Sequence, residues 1–331
     1  MYDRLSAGPN LNLCLLALSL FILAPSQLQA GVFGDDNPAN GTEDDRRGIS
    51  EGSGSRHGES WYRSGGTIYC DGAVRGSATL VAVTRRGAGR RRSPAGAVVA
   101  TAAHVFYDLE TNHRWRQCEF LYLGLGALPG YRATIAANHV LFGGFDPNDE
   151  PSRPTSGAGD WAFAWLGETW VMPPGAEPMS IKAVRAQTIL SEGLGLLAWN
   201  RSAGELAVSS DCQAIRSRHH DLGGGSWSGQ LLDDCDSSLG ASGGGLIIQQ
   251  AAQSHLIGIR GGHHWDGERW PASVYPEGPP DGLAWNPSVH TNYARAIDEG
   301  MLAAFARWWW TLRVGPPSSG QADFDAPDAM P

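Results

Sequence analysis

Three segments of this chain carry side chains able to move a proton and attack a carbonyl. Ser242 lies in GASGGG, where small residues on both sides permit a sharp turn and let backbone N–H groups converge on one point. A serine hydroxyl is a weak nucleophile alone. It needs an imidazole to take its proton and a carboxylate to hold that imidazole in the right tautomer. His104, closing the strand-like run AVVATAAH, and Asp160, opening DWAFAWL, fit those two roles. The amides of Gly240 and Ser242 would bind the developing oxyanion, an effect worth about 3 to 4 kcal/mol per donor. A GxSGG string arises by chance in glycine-rich chains, and a single histidine after a strand is ordinarily structural. The conjunction carries the reading: His, Asp and Ser in that order, with cysteines flanking the histidine and serine segments.

Other chemistries use the same residue types. GASGG also fits the nucleophile elbow G-x-S-x-G of α/β-hydrolases, where Ser242 would be followed by its acid, Asp266 or Asp281, and then by His290. That elbow joins a strand to a helix, whereas GGLIIQQ after Ser242 reads as a strand. Metal-dependent hydrolysis through His219 and His220, or through His263 and His264, is weaker, because neighbouring strand residues point to opposite faces. No C-x2-C pair favours zinc.

The elements that must position these residues read as short strands. There are 44 glycines in 331 residues, against a usual level of roughly 7%, and only 18% of residues are charged. Tight turns between strands explain the first figure, and the second disfavours a coiled coil. β-type runs recur at 67–70, 77–83, 97–103, 118–125, 160–166, 194–199, 244–250 and 255–260, an all-β tendency without regular intervening helices. One helix is predicted from about Tyr293 to Leu312, with Ile297, Met301, Phe305, Trp308 and Leu312 on one face. Packing against the core explains that face and its triple tryptophan better than a membrane surface does. The arginine-rich loop from Arg85 to Arg92 reads as a solvated connection, with polyanion binding as the lesser alternative.

Compartment follows from the ends and the cysteines. Residues 1–30 have the layout of a secretory signal peptide, with Arg4 in a polar head, an apolar run from Leu11 to Ala24 and the small Ala30 after it. The run is shorter than the roughly 20 residues that span a bilayer. Residues 31–60 read as a polar arm or short pro-segment, 61–312 as the globular domain and 313–331 as a disordered tail. Cys14 leaves with the leader, and the four cysteines that remain predict two disulfides with three pairings open. Cys70 with Cys118 and Cys212 with Cys235 would close the shortest loops. The net charge of -9 argues against bulk binding to nucleic acid or anionic lipid.

The segments VVATAAHVF, GDWAFAWL and DCDSSLGASGG resemble the His, Asp and Ser motifs of chymotrypsin-fold serine peptidases, and most of all those of the bacterial branch that contains the glutamyl endopeptidases. With the DDRR arm at 44–47 and the C-terminal helix, the likeness spans about residues 44 to 312. The resemblance implies an all-β, chymotrypsin-like fold of two antiparallel six-stranded β-barrels with a C-terminal helix. His104 and Asp160 would come from the first barrel and Ser242 from the second. It further implies a secreted, monomeric endopeptidase that cleaves protein or peptide substrates through an acyl-enzyme without a cofactor. A catalytically silent relative that only binds peptides is the alternative.

Three positions depart from the family pattern. Ala241 stands where animal digestive relatives have an aspartate, Gly245 replaces a proline, and Arg260 stands where glutamyl-specific members have a histidine. By register Asp236 falls at the pocket base of trypsin-like members. Asp236 would favour basic substrate side chains, Arg260 acidic ones, and if the two paired the pocket would select neither. Backbone groups from Ile259 through Gly261 to Gly262 are expected to pair with an extended substrate as an added strand.

Overall fold

The computed structural model describes residues 31–33, 45–49, 61–83, 97–124, 131–148, 154–184, 193–201, 203–216, 229–250, 253–271, 273–275, 279–280 and 282–314. The leader, the loop from Arg85 to Arg92, His219, His220, Asp281 and residues 315–331 lie outside these. Strands dominate, and their patterning explains which face each one buries. Cys118–Tyr122 turns Cys118, Phe120 and Tyr122 inward, and Arg132–Ile135 buries Ala133 and Ile135 while exposing Arg132 and Thr134. Val98–Thr101 is buried along its whole length, so both of its faces are covered and it shows no alternation.

Two sheets, each curled into an antiparallel half-barrel, account for nearly all of the strands. The first is ordered Arg132–Ile135, Cys118–Tyr122, Gly65–Cys70, Ala73–Val81, Val98–Thr101, Ala162–Trp165 and Val140–Phe142. The second runs Arg46–Gly48, Glu205–Ser210, Leu194–Asn200, Gly245–Gln250, Gln253–Trp265, His290–Ala296, Gln230–Asp233 and Ala214–Arg216, with Ser180–Ile181 parallel to Gln253–Trp265. Seven and nine strands replace the six expected of each. The additional strands, Val140–Phe142, Arg46–Gly48, Ala214–Arg216 and Ser180–Ile181, are too short to show a period.

The two sheets share one apolar core. Leu197, Leu206, Val208, Ile247, Leu256 and Ile259 of the second sheet pack in the same cluster as Ile68, Leu80, Val99 and Phe163 of the first. Each sheet also has its own covalent tie, Cys70–Cys118 in the first and Cys212–Cys235 in the second. The polar arm is engaged where it is described. Arg46–Gly48 pairs with Glu205–Ser210, and Phe33 stacks on His290 with ring centroids 5.2 Å apart.

The end of the chain corrects the helix boundary. Tyr293 belongs to the strand His290–Ala296, and the helix is Glu299–Val314. Asp298 decides the start by accepting the Met301 amide at 2.8 Å, which satisfies one of the free N–H groups of the first turn. Ile297, Met301 and Phe305 are buried in the shared core as the packing reading requires, and Phe305 lies 4.6 Å from Phe163. No helix of the described residues is long and apolar enough to cross a membrane.

Candidate active site

His104 begins a short 3-10 turn directly beyond Val98–Thr101, so a central strand of the first sheet delivers it. Asp160 precedes the neighbouring strand Ala162–Trp165, which pairs with Val98–Thr101. That pairing brings the two side chains together. Asp160 Oδ2 lies 2.7 Å from His104 Nδ1, and Asp160 Oδ1 accepts the His104 amide at 2.9 Å. Both residues are buried, with exposures of 7% and 2%. A carboxylate on Nδ1 keeps the proton there and leaves Nε2 as the basic nitrogen. Phe145 lies over the imidazole at 6.3 Å, and Tyr107 packs on Phe145.

Ser242 comes from the second sheet, on the turn that leads into Gly245–Gln250. Gly240 and Gly243 take φ values of +93° and +82°, a left-handed backbone that admits few side chains. The turn presses against the first sheet. Ser77 donates its amide to Ser242 O at 2.7 Å, and a Cβ on Gly76 would lie 2.6 Å from both Ser242 O and Val105 Cγ2, beside His104. A Cβ on Gly243 would lie 2.9 Å from the Ala102 amide nitrogen. Gly245, where a proline was the family expectation, is similarly confined, since a Cβ would meet Thr79 Oγ1 at 2.6 Å. Among the described residues no hydrogen bond joins Ser242 to the imidazole directly, and no backbone carbonyl takes the amides of Gly240 and Ser242.

No protein-family model and no curated protein matches this chain. Solved structures do. A Glu endopeptidase solved in complex with MPD superposes over 83% of this chain and 98% of its own, with 13% identity and a TM-score of 0.50. The fold is chymotrypsin-like. The protease Anisep from Arthrobacter nicotinovorans, at 13% identity, and the thermostable serine protease AL20 from an extremophilic microorganism, at 14%, each superpose with a TM-score of 0.49. They cover 76% and 74% of this chain, and 97% and 96% of their own. The chymotrypsin-like fold removes the elbow alternative, because a strand and not a helix follows Ser242, and His290 instead stacks on Phe33.

The charged residues expected at a substrate pocket of this chymotrypsin-like fold are engaged internally. Arg260 is fully buried, and its terminal nitrogens reach Asp233 Oδ1 at 2.5 Å and Oδ2 at 3.0 Å. Arg260 therefore pairs with Asp233 and not with Asp236, the partner that one of the three pocket readings gave it. Asp236 faces the N-terminal arm, accepting the amides of Phe33 at 2.8 Å and Asp45 at 2.7 Å. Ile259 and Arg260 are also less open than expected. Gly243, Gly244 and Gly245 flank them on one edge and Ala294 and Arg295 on the other, so only Gly261 and Gly262 keep an edge for a further strand.

The histidine pair on Gln253–Trp265 splits as the strand period demands. His263 lies 6.2 Å from His290, whereas His264 stacks on Tyr293 at 4.3 Å. Burial lowers all three, His263 to about 3 and His290 to about 4, and charges nearby add to it: His290 and Arg260 on His263, Arg269 on His290, His263 on His264. Sequence reasoning missed Tyr293, assigned to the helix, and Ser77 and Thr101, assigned only to strands. Tyr293 is buried where Gly261 leaves room for its ring, and burial, followed by the charge of Asp160, raises its phenol. A buried polar residue inside an apolar run, as in SATLV or VVAT, is the signal that was available for the other two.

Proposed function

We propose that this protein is a serine endopeptidase in which Ser242 attacks the scissile carbonyl, His104 acts as general base and then general acid, and Asp160 orients His104. The observation that carries the reading is the hydrogen-bonded His104–Asp160 pair of one sheet with the Ser242 turn of the other pressed against it. Proton transfer from Ser242 Oγ to His104 Nε2 accompanies attack, and the carbonyl oxygen takes up negative charge beside the amides of Gly240 and Ser242. His104 returns the proton to the leaving amine, forming an acyl-enzyme that water hydrolyses by the same relay. Contacts between nucleophile and base commonly tighten only when substrate binds.

Gly261 and Gly262 offer the edge on which a peptide substrate would lie as an added strand. With Asp236 and Arg260 committed inside the protein, neither charge is assigned to reading the substrate side chain. No cofactor enters this chemistry. The two disulfides and the leader-like residues 1–30 support export.

The test is labelling of the native protein by a fluorophosphonate probe, together with cleavage of a mixed peptide library. Wild type should label and cleave, while Ser242→Ala and His104→Ala should each abolish both. A folded wild type that does neither would overturn the peptidase reading, and binding of uncleaved library peptides would then mark a silent relative.

A further inference from the structure

Ser77 belongs to Ala73–Val81 of the first sheet, yet it bonds the nucleophile turn of the second on both sides of Ala241. Its amide donates to Ser242 O and its hydroxyl donates to Gly240 O, each at 2.7 Å. The same hydroxyl oxygen accepts the Trp199 amide at 2.7 Å. The Ser77 carbonyl accepts the Thr101 hydroxyl, also at 2.7 Å. Thr101 ends its strand, and Ala102 and Ala103 lead from it into His104. A single residue therefore joins the nucleophile turn to the histidine segment.

These bonds add a hold from the opposite sheet to a turn whose other backbone bonds, Ala241 N to Ser238 O, Gly244 N to Ala241 O and Gly243 N to Arg260 O, all stay within its own half of the molecule. Gly240 and Gly243 adopt left-handed conformations, and glycine is the residue with most backbone freedom to lose. Holding the Gly240 carbonyl fixes the peptide plane that follows it, and holding the Ser242 carbonyl fixes the plane beyond Ser242. Ser77 is only 1% exposed, so water is poorly placed to substitute. The approach is tight by construction, since a side chain on Gly243 would run into Ser77 O and Thr101 Oγ1.

We propose that Ser77 is a positioning residue: by holding the carbonyls of Gly240 and Ser242 from the opposite sheet, it sets the directions of Ser242 Oγ and of the oxyanion amides relative to His104. This rests on the serine peptidase reading. Ser64 provides the comparison for a purely structural serine. It is equally buried on the first barrel, and its hydroxyl donates to Trp61 O at 2.8 Å.

The experiment measures fluorophosphonate labelling rate, kcat and KM on a cleaved peptide, and thermal midpoint for full-length wild type, Ser77→Ala, Ser77→Thr and Ser64→Ala. Loss of the Ser77 hydroxyl should lower kcat and labelling about 10- to 100-fold, the effect of a small misplacement of reacting groups, with KM within about twofold. Ser77→Thr, which keeps a hydroxyl, should recover most of that loss, while Ser64→Ala should lower the midpoint and leave kcat unchanged. Wild-type kcat in Ser77→Ala overturns the proposal, as does an equal kcat loss in Ser64→Ala or a folded Ser77→Thr no faster than Ser77→Ala. Should Ser77→Ala not fold, Ser77→Cys, similar in size with a weak donor, takes its place under the same criteria. A wild type that neither labels nor cleaves overturns the peptidase reading itself. A reactive wild type matched by Ser77→Ala overturns only the role of Ser77.

Discussion

Asp160 uses both carboxylate oxygens on one residue, the first on the His104 amide and the second on its ring. Replacing it with Asn leaves a group of the same shape but lets the imidazole settle with its proton on the wrong nitrogen. Asp160→Asn should therefore lower kcat about 10⁴-fold, the size of effect seen for the equivalent change in a known triad, with the thermal midpoint little altered. The Arg260–Asp233 pair makes a contrasting prediction. Both partners are fully buried, so removing one strands the charge of the other. Asp233→Ala should destabilise the fold by about 3–5 kcal/mol in a urea titration. Arg260 was singled out by its place in LIGIRGG, but the identity of its partner follows from strand neighbours distant in sequence.

The C-terminal helix shows how far periodicity alone reaches. Ile297, Met301 and Phe305 are core residues, yet Ile297 precedes the helix and Tyr293 is in a strand. HTNYARA is buried along nearly its whole length, so it lacks the alternation that marks a strand with one wet face. Asp298 is the boundary signal. It accepts the Met301 amide at 2.8 Å and the Arg295 guanidinium at 2.5 Å. Asp298→Ala should cost about 1 kcal/mol, read as a lower thermal midpoint with kcat unchanged. The strands Glu205–Ser210 and Gln230–Asp233 were not foreseen either, the second because its four buried residues are too few to show a period.

Across the molecule, two sheets share a core and each carries one disulfide. Cys70–Cys118 and Cys212–Cys235 close separations of 48 and 23 residues. Loop entropy values them at about 4 and about 3.5 kcal/mol, so reduction should lower the thermal midpoint sharply, with Cys70→Ala/Cys118→Ala the more damaged of the two double variants. The histidines set a pH limit. His263 and His290 are held near 3 and near 4 in the folded protein against 6.5 when exposed, so above pH 6.5 both are neutral in either state and their burial carries no protonation penalty. Below it the unfolded chain takes up protons that the folded one refuses. Stability should then fall by about 1.4 kcal/mol per histidine per pH unit, down to about pH 4 for His290 and pH 3 for His263. Urea unfolding from pH 7 to pH 4 checks this, and a His263→Phe/His290→Phe variant should show a shallower dependence.

The residue types of the site and the β-rich character of the chain are local properties, because chemistry depends on side-chain type and strands on runs of a few residues. His104, Asp160 and Ser242 were therefore readable as candidates, as were the four paired cysteines. Partners were not. Whether Asp236 meets Arg260, a substrate or the arm depends on which distant strands lie side by side, and burial settles each charge on the nearest group able to replace its lost water. Ser77 makes the same point, for its amino-acid neighbours say nothing of the Ser242 turn that only the packing of one sheet on the other brings within 2.7 Å.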